Sequence, residues 1–415
     1  MSDLERVVIV GASLAGLSAA DAIRASGWDG HLVLIDSSPD LPSDRPPLSK
    51  QVLAGTMEPT AASQPLASHV DALDLDLRLG RRVEGFSVGD LRLKFDNDHE
   101  ISGDGVVIAT GATPRWMPGT EHLGGVHVVR TLADSLALKA DLDAAPRRVA
   151  VVGAGFIGAE VAATCRGLGL EVTMIEAAPA PLANVFGSGI VGDFIAALHR
   201  GHGVDVRLGV GVASIEGSSA GAERGSRPRV ERIVMADGSA IDADVVVVGI
   251  GVIPNIDWLE GSGLTLGNGV MCDETLLAAP GVVAAGDVAN WPNPRFGERM
   301  RVEHWDHAIE QGAAAARRLL ADADEDAPAA EPFAPVPWFW SDQYDRKIQM
   351  AGRPAPTDEL VLIDGSVEEA RFAVAFRRGD RCTGVLAVNR PRIAVGARMK
   401  MLESLDWSHV VGTVS

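Results

Sequence analysis

"RVAVVGAGFIGAEVAATC", Arg148 to Cys165, is the stretch that decides the fold. An apolar run leads into Gly153, Gly155 and Gly158, the G-x-G-x-x-G spacing, and an alanine-rich stretch of helical character follows. A buried strand that turns sharply into a helix is built to hold a dinucleotide. The turn lets the backbone approach a pyrophosphate, and the helix N-terminus offers it free N–H groups. Alone, such a match is weak, because glycine-rich turns also arise for packing. Its weight here comes from a second copy.

"VVIVGASLAG", Val7 to Gly16, repeats the strand, turn and helix start with Ser13 in place of the middle glycine. In each copy a second apolar strand closes on an acid, "HLVLID" at Asp36 and "EVTMIE" at Glu176. These acids lie 25 and 23 residues beyond the first glycine, the spacing of a carboxylate that takes ribose hydroxyls. A further strand and a Gly-Pro turn close each copy, "GVVIATGATPR" (Gly105–Arg115) and "DVVVVGIGVIPN" (Asp244–Asn255). Gly11 and Gly153 are 142 residues apart and Pro114 and Pro254 are 140 apart, so the two copies form an internal repeat. Serine is the smallest residue that can stand at the middle position and add a hydroxyl, so Ser13 is expected to touch phosphate. Glu176 also selects its ligand. A carboxylate accepts from a free ribose 2′-OH and repels a 2′-phosphate, and Ala177, Ala178 and Pro179 supply no arginine, so NADH is expected over NADPH.

With 415 residues, two or three domains are expected, and 47% apolar with 22% charged residues is a globular composition. A net charge of −19 argues against a nucleic-acid binder. No run approaches the roughly 20 apolar residues of a membrane helix. The first strand begins a few residues after Met1 with no room for a signal peptide, so a cytoplasmic protein is expected. Cys165, Cys272 and Cys382 lie more than a hundred residues apart, which leaves no CxxC pair, no zinc spacing and no set for an iron–sulfur cluster. They read as buried thiols. The pairs His199/His202 and His304/His307 lack an evident third ligand, and no metal site is expected. After the second copy, "TLLAAPGVVAAGDVANW" gives a strand ending at Gly286-Asp287, and a helix begins near His307. The acidic, proline-rich Ala321–Pro337 reads as a linker. "ELVLID", "RFAVAFRR" and "CTGVLAVN" beyond it alternate like a small antiparallel sheet.

"RPPLSK" (Arg45–Lys50), with "GFIGAEVAA", "AAGDVAN", "VEHWDHAIEQG" and "VPWFWSDQY" in that order, resembles the NADH-dependent, FAD-containing ferredoxin reductases that feed bacterial cytochrome P450s and Rieske-type oxygenases. The resemblance runs over essentially the whole chain. It implies an α/β fold of glutathione reductase type, with two Rossmann-like dinucleotide-binding domains and a small α+β C-terminal domain. The FAD domain would be residues 1–112 and 247–325, the NAD domain 113–246 and the C-terminal domain 326–415. FAD would meet Gly11, Ser13, Ala15 and Gly16 at its pyrophosphate and Asp36 or Ser37 at its ribose, with Arg45, Lys50, Val83, Thr110, Gly111, Arg130, Asp287 and Trp305 around the rest. NADH would meet Gly153, Gly155, Ile157, Gly158, Glu160, Glu176 and Gly251.

In this family a lysine matching Lys50 lies beside the flavin and pairs with a glutamate matching Glu160, which also reaches the nicotinamide. On the sequence alone the two read as a solvated lysine and a first-turn helix acid. Trp305 would otherwise be an ordinary core aromatic, and of Trp338 and Trp340 one reads as core and Trp340 as the docking residue. Arg317, Arg318, Arg346, Lys347 and Arg353 are candidate docking cations for an acidic partner, although such clusters are often only a solvated face. Ala313 stands where one branch of the family docks through an arginine, so the docking surface is expected to differ from that branch. Ser37–Lys50 holds no cysteine, which disfavours disulfide reductase and peroxidase chemistry. Electrons are expected to pass from the flavin directly to an iron–sulfur ferredoxin. Two other readings stay open: a rubredoxin reductase using the same residues, and a slow-turnover NADH-sensing flavoprotein similar to apoptosis-inducing factors.

Overall fold

The computed structural model describes residues 4–218, 227–323 and 328–412. The chain forms two compact units, Met1–Asp44, Ser63–Thr113 and Ile253–Phe339 in one, and Arg45–Ala62, Pro114–Val252 and Trp340–Ser415 in the other.

In the first unit, Arg6–Val10 lies between His31–Ile35 and Gly105–Ile108, parallel to both, inside a six-stranded sheet. Asp76–Arg78 extends it on one side, and Val282–Ala284 and then Leu277–Ala279 on the other. Val7, Val8 and Ile9 are fully buried, as the centre of a parallel sheet covered on both faces requires. The second unit repeats the plan. Arg148–Val152 lies between Glu171–Glu176 and Val245–Val248, again parallel, in a five-stranded sheet completed by Asp205–Leu208 and Val126–His127. Each central strand feeds a 12-residue helix, Leu14–Ala25 or Phe156–Gly167. The sequence repeat is therefore a repeat of structure.

Each copy also carries a three-stranded antiparallel sheet, formed by Val83–Ser87, Arg92–Phe95 and Glu100–Ser102 in one and by Val212–Ser218, Arg229–Met235 and Ala240–Asp242 in the other. The alternating C-terminal segments form an antiparallel sheet of five strands, beginning with Trp338–Gln343 and Arg346–Gly352, and Pro391–Glu403 packs on it as a helix. Of the expected linker, the helix Trp305–Asp322 takes the first two residues, 324–327 lie outside the described residues, and 328–337 form neither helix nor strand. The RPPLSK segment is held in the second unit. Ser135 Oγ donates to the Leu48 carbonyl at 2.7 Å, and Thr164 Oγ1 to that of Ser49 at 2.8 Å. This fixes Lys50 near the helix that starts at Phe156.

Candidate functional site

The two fingerprint turns are built alike. Gly11 N–H donates to the Ile35 carbonyl at 2.8 Å and Gly153 N–H to that of Ile175 at 2.7 Å. Both glycines have positive φ, 111° and 101°, and a Cβ would strike the carbonyl of Ala109 in one copy and of Gly249 in the other. At the sixth position a Cβ on Gly16 or Gly158 would strike the carbonyl of Gly11 or Gly153. The fold itself therefore demands the first and last glycines. The middle one is different. Gly155 has φ −74° and nothing within 4 Å of an added Cβ, and Ser13 has φ −91° in the same extended region. The backbone permits a side chain there, and only a ligand at the turn restricts it. Neither helix carries a side-chain N-cap bond, so the N–H groups of the first turn are left for an anion.

The acids clasp these turns. Asp36 Oδ2 accepts from Ala12 N–H at 2.7 Å and Oδ1 from Ser38 N–H at 2.8 Å. Glu176 does the same with Ala154 at 2.8 Å and Ala178 at 2.9 Å. Each carboxylate oxygen keeps a lone pair for a ribose hydroxyl.

In the first unit a cavity of about 220 Å³ is lined by Gly11, Asp36, Ser37, Val83 and Thr110, all expected from the sequence. Arg81, Arg82, Asn255 and Trp258 line it as well and carried no signal of their own. Asn255 knits the closing turn, giving its side-chain N–H to the Thr110 carbonyl at 2.8 Å and accepting from Thr113 Oγ1 at 2.7 Å. Thr110 Oγ1 donates in turn to the Asn255 carbonyl at 2.9 Å, so both the hydroxyl and the carbonyl of Thr110 are tied into this turn. Gly111 follows in the same unit with φ 66°. Asp287 is buried at the turn whose Gly286 N–H donates to Gln311 Oε1 at 2.8 Å. Trp305 opens the helix Trp305–Asp322 with its indole N–H on Asp44 at 2.6 Å. The amide nitrogen of Gln311, on that helix and buried, has no hydrogen-bond partner among the described residues. An open cradle at the turn, a clasped acid and this orphaned donor fit a flavin dinucleotide.

The second unit contains Arg45, Lys50 and Arg130 with all the expected NAD residues. Here the structure brings the two expected catalytic residues together. Lys50 Nζ lies 2.9 Å from Glu160 Oε2 with the side chains 14% and 4% exposed. Two serines complete the carboxylate's shell, Ser49 Oγ donating to Oε2 at 2.5 Å and Ser341 Oγ to Oε1 at 2.7 Å. Sequence reasoning missed both. Beside the NAD turn, Ile157 is 47% and Ile250 37% exposed, apolar surface of the kind that flanks a bound base or nicotinamide ring. Gly251, with φ 94°, accepts from Arg115 N–H at 2.9 Å through its carbonyl.

All three thiols are free and buried, and burial pushes each up to about 12, so none is a nucleophile or redox group near neutral pH. Among the described residues no cluster of three or more His, Cys, Asp or Glu could hold a metal. His307 stacks on Trp291 (4.9 Å, 23°), and His202 stacks on Tyr344 (3.6 Å, 7°). Trp338 is buried and Trp340 half-buried. Of the candidate docking cations, Arg318 is bonded to Asp322 and Thr275, and Arg346 to Asp345, which partly neutralises both. No helix among the described residues is long and apolar enough to cross a membrane.

A family model described as "Pyridine nucleotide-disulphide oxidoreductase" matches residues 5–312, and one described as "Reductase C-terminal" matches 338–406. Rhodocoxin reductase of Rhodococcus erythropolis is 36% identical over 394 residues, 94% of this chain and 88% of that protein. The anthranilate 1,2-dioxygenase system ferredoxin–NAD(+) reductase component of Burkholderia cepacia is 36% identical over 398 residues, 95% and 93%. Among solved structures, the covalent putidaredoxin reductase–putidaredoxin complex superposes with a TM-score of 0.88 at 31% identity, covering 97% of this chain and 94% of that one.

Proposed function

We propose, from the premise that this chain belongs to the pyridine nucleotide-disulphide oxidoreductase family and within it to the ferredoxin reductases of oxygenase systems, that it is an NADH:ferredoxin oxidoreductase. Its electrons would supply a cytochrome P450 or a Rieske-type oxygenase. The doubled fingerprint carries the reading, because two dinucleotide turns in one chain suit a resident FAD in the first unit and an exchanging NADH in the second. NADH as reductant argues for a cytoplasmic site of action.

FAD, when bound, accepts a hydride from NADH and releases the electrons singly to an iron–sulfur acceptor. The chain's own residues prepare for that. The N–H groups at Ala15 and Gly16 and the hydroxyl of Ser13 would hold the FAD pyrophosphate, and Asp36 and Ser37 would take the adenosine ribose. Val83, Thr110, Gly111 and Asp287 would border the cofactor in the first unit, and by the resemblance to the family Arg45 and Arg130 would supply positive charge to it. By the same resemblance the flavin pyrimidine would lie near Trp305, where the N-terminus of the helix would favour negative charge on it. Glu160 fixes the ammonium of Lys50 at 2.9 Å, so that a preorganised cation meets the charge that develops during hydride transfer. Gly153, Gly155 and Gly158 admit the NADH pyrophosphate, Glu176 holds the ribose, and Ile157 and Gly251 border the nicotinamide half. Trp340 is our docking residue for the ferredoxin.

NADH-dependent cytochrome c reduction with a panel of added iron–sulfur ferredoxins tests this. The rate should rise steeply with at least one ferredoxin. A long-lived reduced flavin that no ferredoxin or rubredoxin discharges would instead support the sensor reading.

A further inference from the structure

Glu160 is held by more than its ion pair. Ser341 Oγ, which donates to Glu160 Oε1 at 2.7 Å, accepts in turn from Gln343 Nε2 at 3.2 Å. Gln343 Oε1 lies 3.2 Å from His199 Nε2, and His199 Nδ1 lies 3.1 Å from the Tyr344 hydroxyl. Chemistry fixes the direction of each bond. A carboxylate paired with Lys50 only accepts, so Ser341 gives it a hydrogen. An amide oxygen only accepts, so His199 must carry its proton on Nε2, and its bare Nδ1 then takes the hydrogen of Tyr344. Burial supports this arrangement. It pushes His199 down to about 4 and Tyr344 up to about 12, so at neutral pH the ring is uncharged and the phenol keeps its proton. All four hydrogen bonds point the same way, toward Glu160.

The outer end is also constrained. Tyr344 sits in the two-residue turn between Trp338–Gln343 and Arg346–Gly352 with φ 55°, a conformation unfavourable for an aromatic residue. It persists where the surroundings over-determine it. Here the stack on His202 (3.6 Å, 7°) and the bond to His199 do so.

We infer that Ser341, Gln343, His199 and Tyr344 are positioning residues for Glu160, a polarised hydrogen-bond chain that runs from the tip of the first C-terminal hairpin to the carboxylate. Hydrogen bonds in a one-way chain strengthen one another, so the last donor grips Glu160 more firmly than an isolated serine would. The inference rests on the reading of Glu160 as a residue that serves hydride transfer. It adds that the C-terminal sheet supplies part of the hydride-transfer apparatus. The titratable groups that face the chain are His202, at the end of the helix bearing His199, and Arg166 and Cys165, on the helix bearing Glu160.

Two measurements on the FAD-loaded enzyme test it. The first is rapid-mixing reduction by NADH of Ser341→Ala, Ser341→Thr, Gln343→Leu, Tyr344→Phe and Glu160→Gln. Loss of the Ser341 donor should lower the limiting rate about tenfold, with the apparent NADH dissociation constant within about twofold of wild type, because geometry and not uniform binding is lost. Gln343→Leu should cost less and Tyr344→Phe least, and Ser341→Thr should restore most of the rate. If Glu160→Gln is slow while Ser341→Ala matches wild type, the inference fails and the reading of Glu160 stands. If Glu160→Gln itself matches wild type, that reading fails and takes the inference with it. The second measurement is independent of turnover and of how the Ser341 variants fold. In the ¹⁵N spectrum of histidine-labelled enzyme, the resonances absent from His199→Gln should be those of a neutral, Nε2-protonated ring from pH 8 to about pH 5. A proton on Nδ1 would reverse the chain and overturn the inference.

Discussion

Replacing Glu176 by glutamine keeps the shape of the side chain and removes its charge. Its two oxygens accept from Ala154 and Ala178, at 2.8 and 2.9 Å. An amide has one oxygen, so one of these bonds is lost, and the ribose loses its charged acceptor. A hydrogen bond to a charged group is worth about 1.5–3 kcal/mol, so kcat/KM for NADH should fall about 10- to 100-fold. NADPH moves the other way. Two unit charges about 4 Å apart repel by about 1 kcal/mol in water and about 4 kcal/mol at an effective dielectric of 20. Glu176 is half-buried, so a relief of about 1–3 kcal/mol is the appropriate range. The discrimination ratio, kcat/KM for NADH over that for NADPH, should therefore fall at least about 50-fold. Steady-state assays with both coenzymes at saturating ferredoxin measure it, and a thermal melt of each protein guards against a folding defect. Salt provides a second check, because about 0.5 M should raise the wild-type rate with NADPH and leave the variant's nearly unchanged. Equal losses with both coenzymes, or a ratio within about threefold of wild type, would refute the argument that the carboxylate's charge discriminates.

The fingerprint glycines should separate by role. Gly158→Ala, whose Cβ meets the Gly153 carbonyl, should lower stability by about 3 kcal/mol or more, whereas Gly155→Ala should melt within a few degrees of wild type yet raise the KM for NADH at least about tenfold. The triple substitution of Cys165, Cys272 and Cys382 by alanine should reduce ferredoxin at the wild-type rate per bound flavin, and a large loss would mean that a thiol carries electrons after all. His199 titrates near 6.5 when unfolded and near 4 when folded, so the unfolded chain binds more protons between those values. Its contribution is complete above about pH 6.5 and is lost as pH falls toward 4, about 3 kcal/mol in all. Denaturant titrations across that window should show a shallower loss of stability in His199→Gln than in wild type, and parallel curves would contradict the assignment.

The fold was legible where the sequence must satisfy the backbone. Gly11, Gly16, Gly153 and Gly158 cannot be other residues without a steric collision, and the strands around them are apolar on both faces, so strand, turn and helix can be read directly. The site was legible where one short motif brings its own geometry, as at Asp36 and Glu176. Lys50 and Glu160 are 110 residues apart, and only the resemblance named them as partners, because no local pattern records that Ser135 and Thr164 hold the RPPLSK segment in the second unit. The same reason hides Ser49, Ser341 and Asn255. Each is an ordinary polar residue in its own segment and acquires a partner only through tertiary packing. The two extra antiparallel sheets left too weak an alternation to be noticed beside the glycine turns.

The middle position of the fingerprint is where the two copies differ, Ser13 against Gly155, and it is also the position at which the backbone tolerates a side chain. A change there alters the grip on a cofactor while leaving the apo fold nearly untouched. On the proposed reading, the grip on each dinucleotide is a property that one residue per copy can change without disturbing the strand–turn–helix packing. A resident FAD in the first turn and an exchanging NADH in the second, as proposed, would then differ at the one fingerprint position that the packing leaves free.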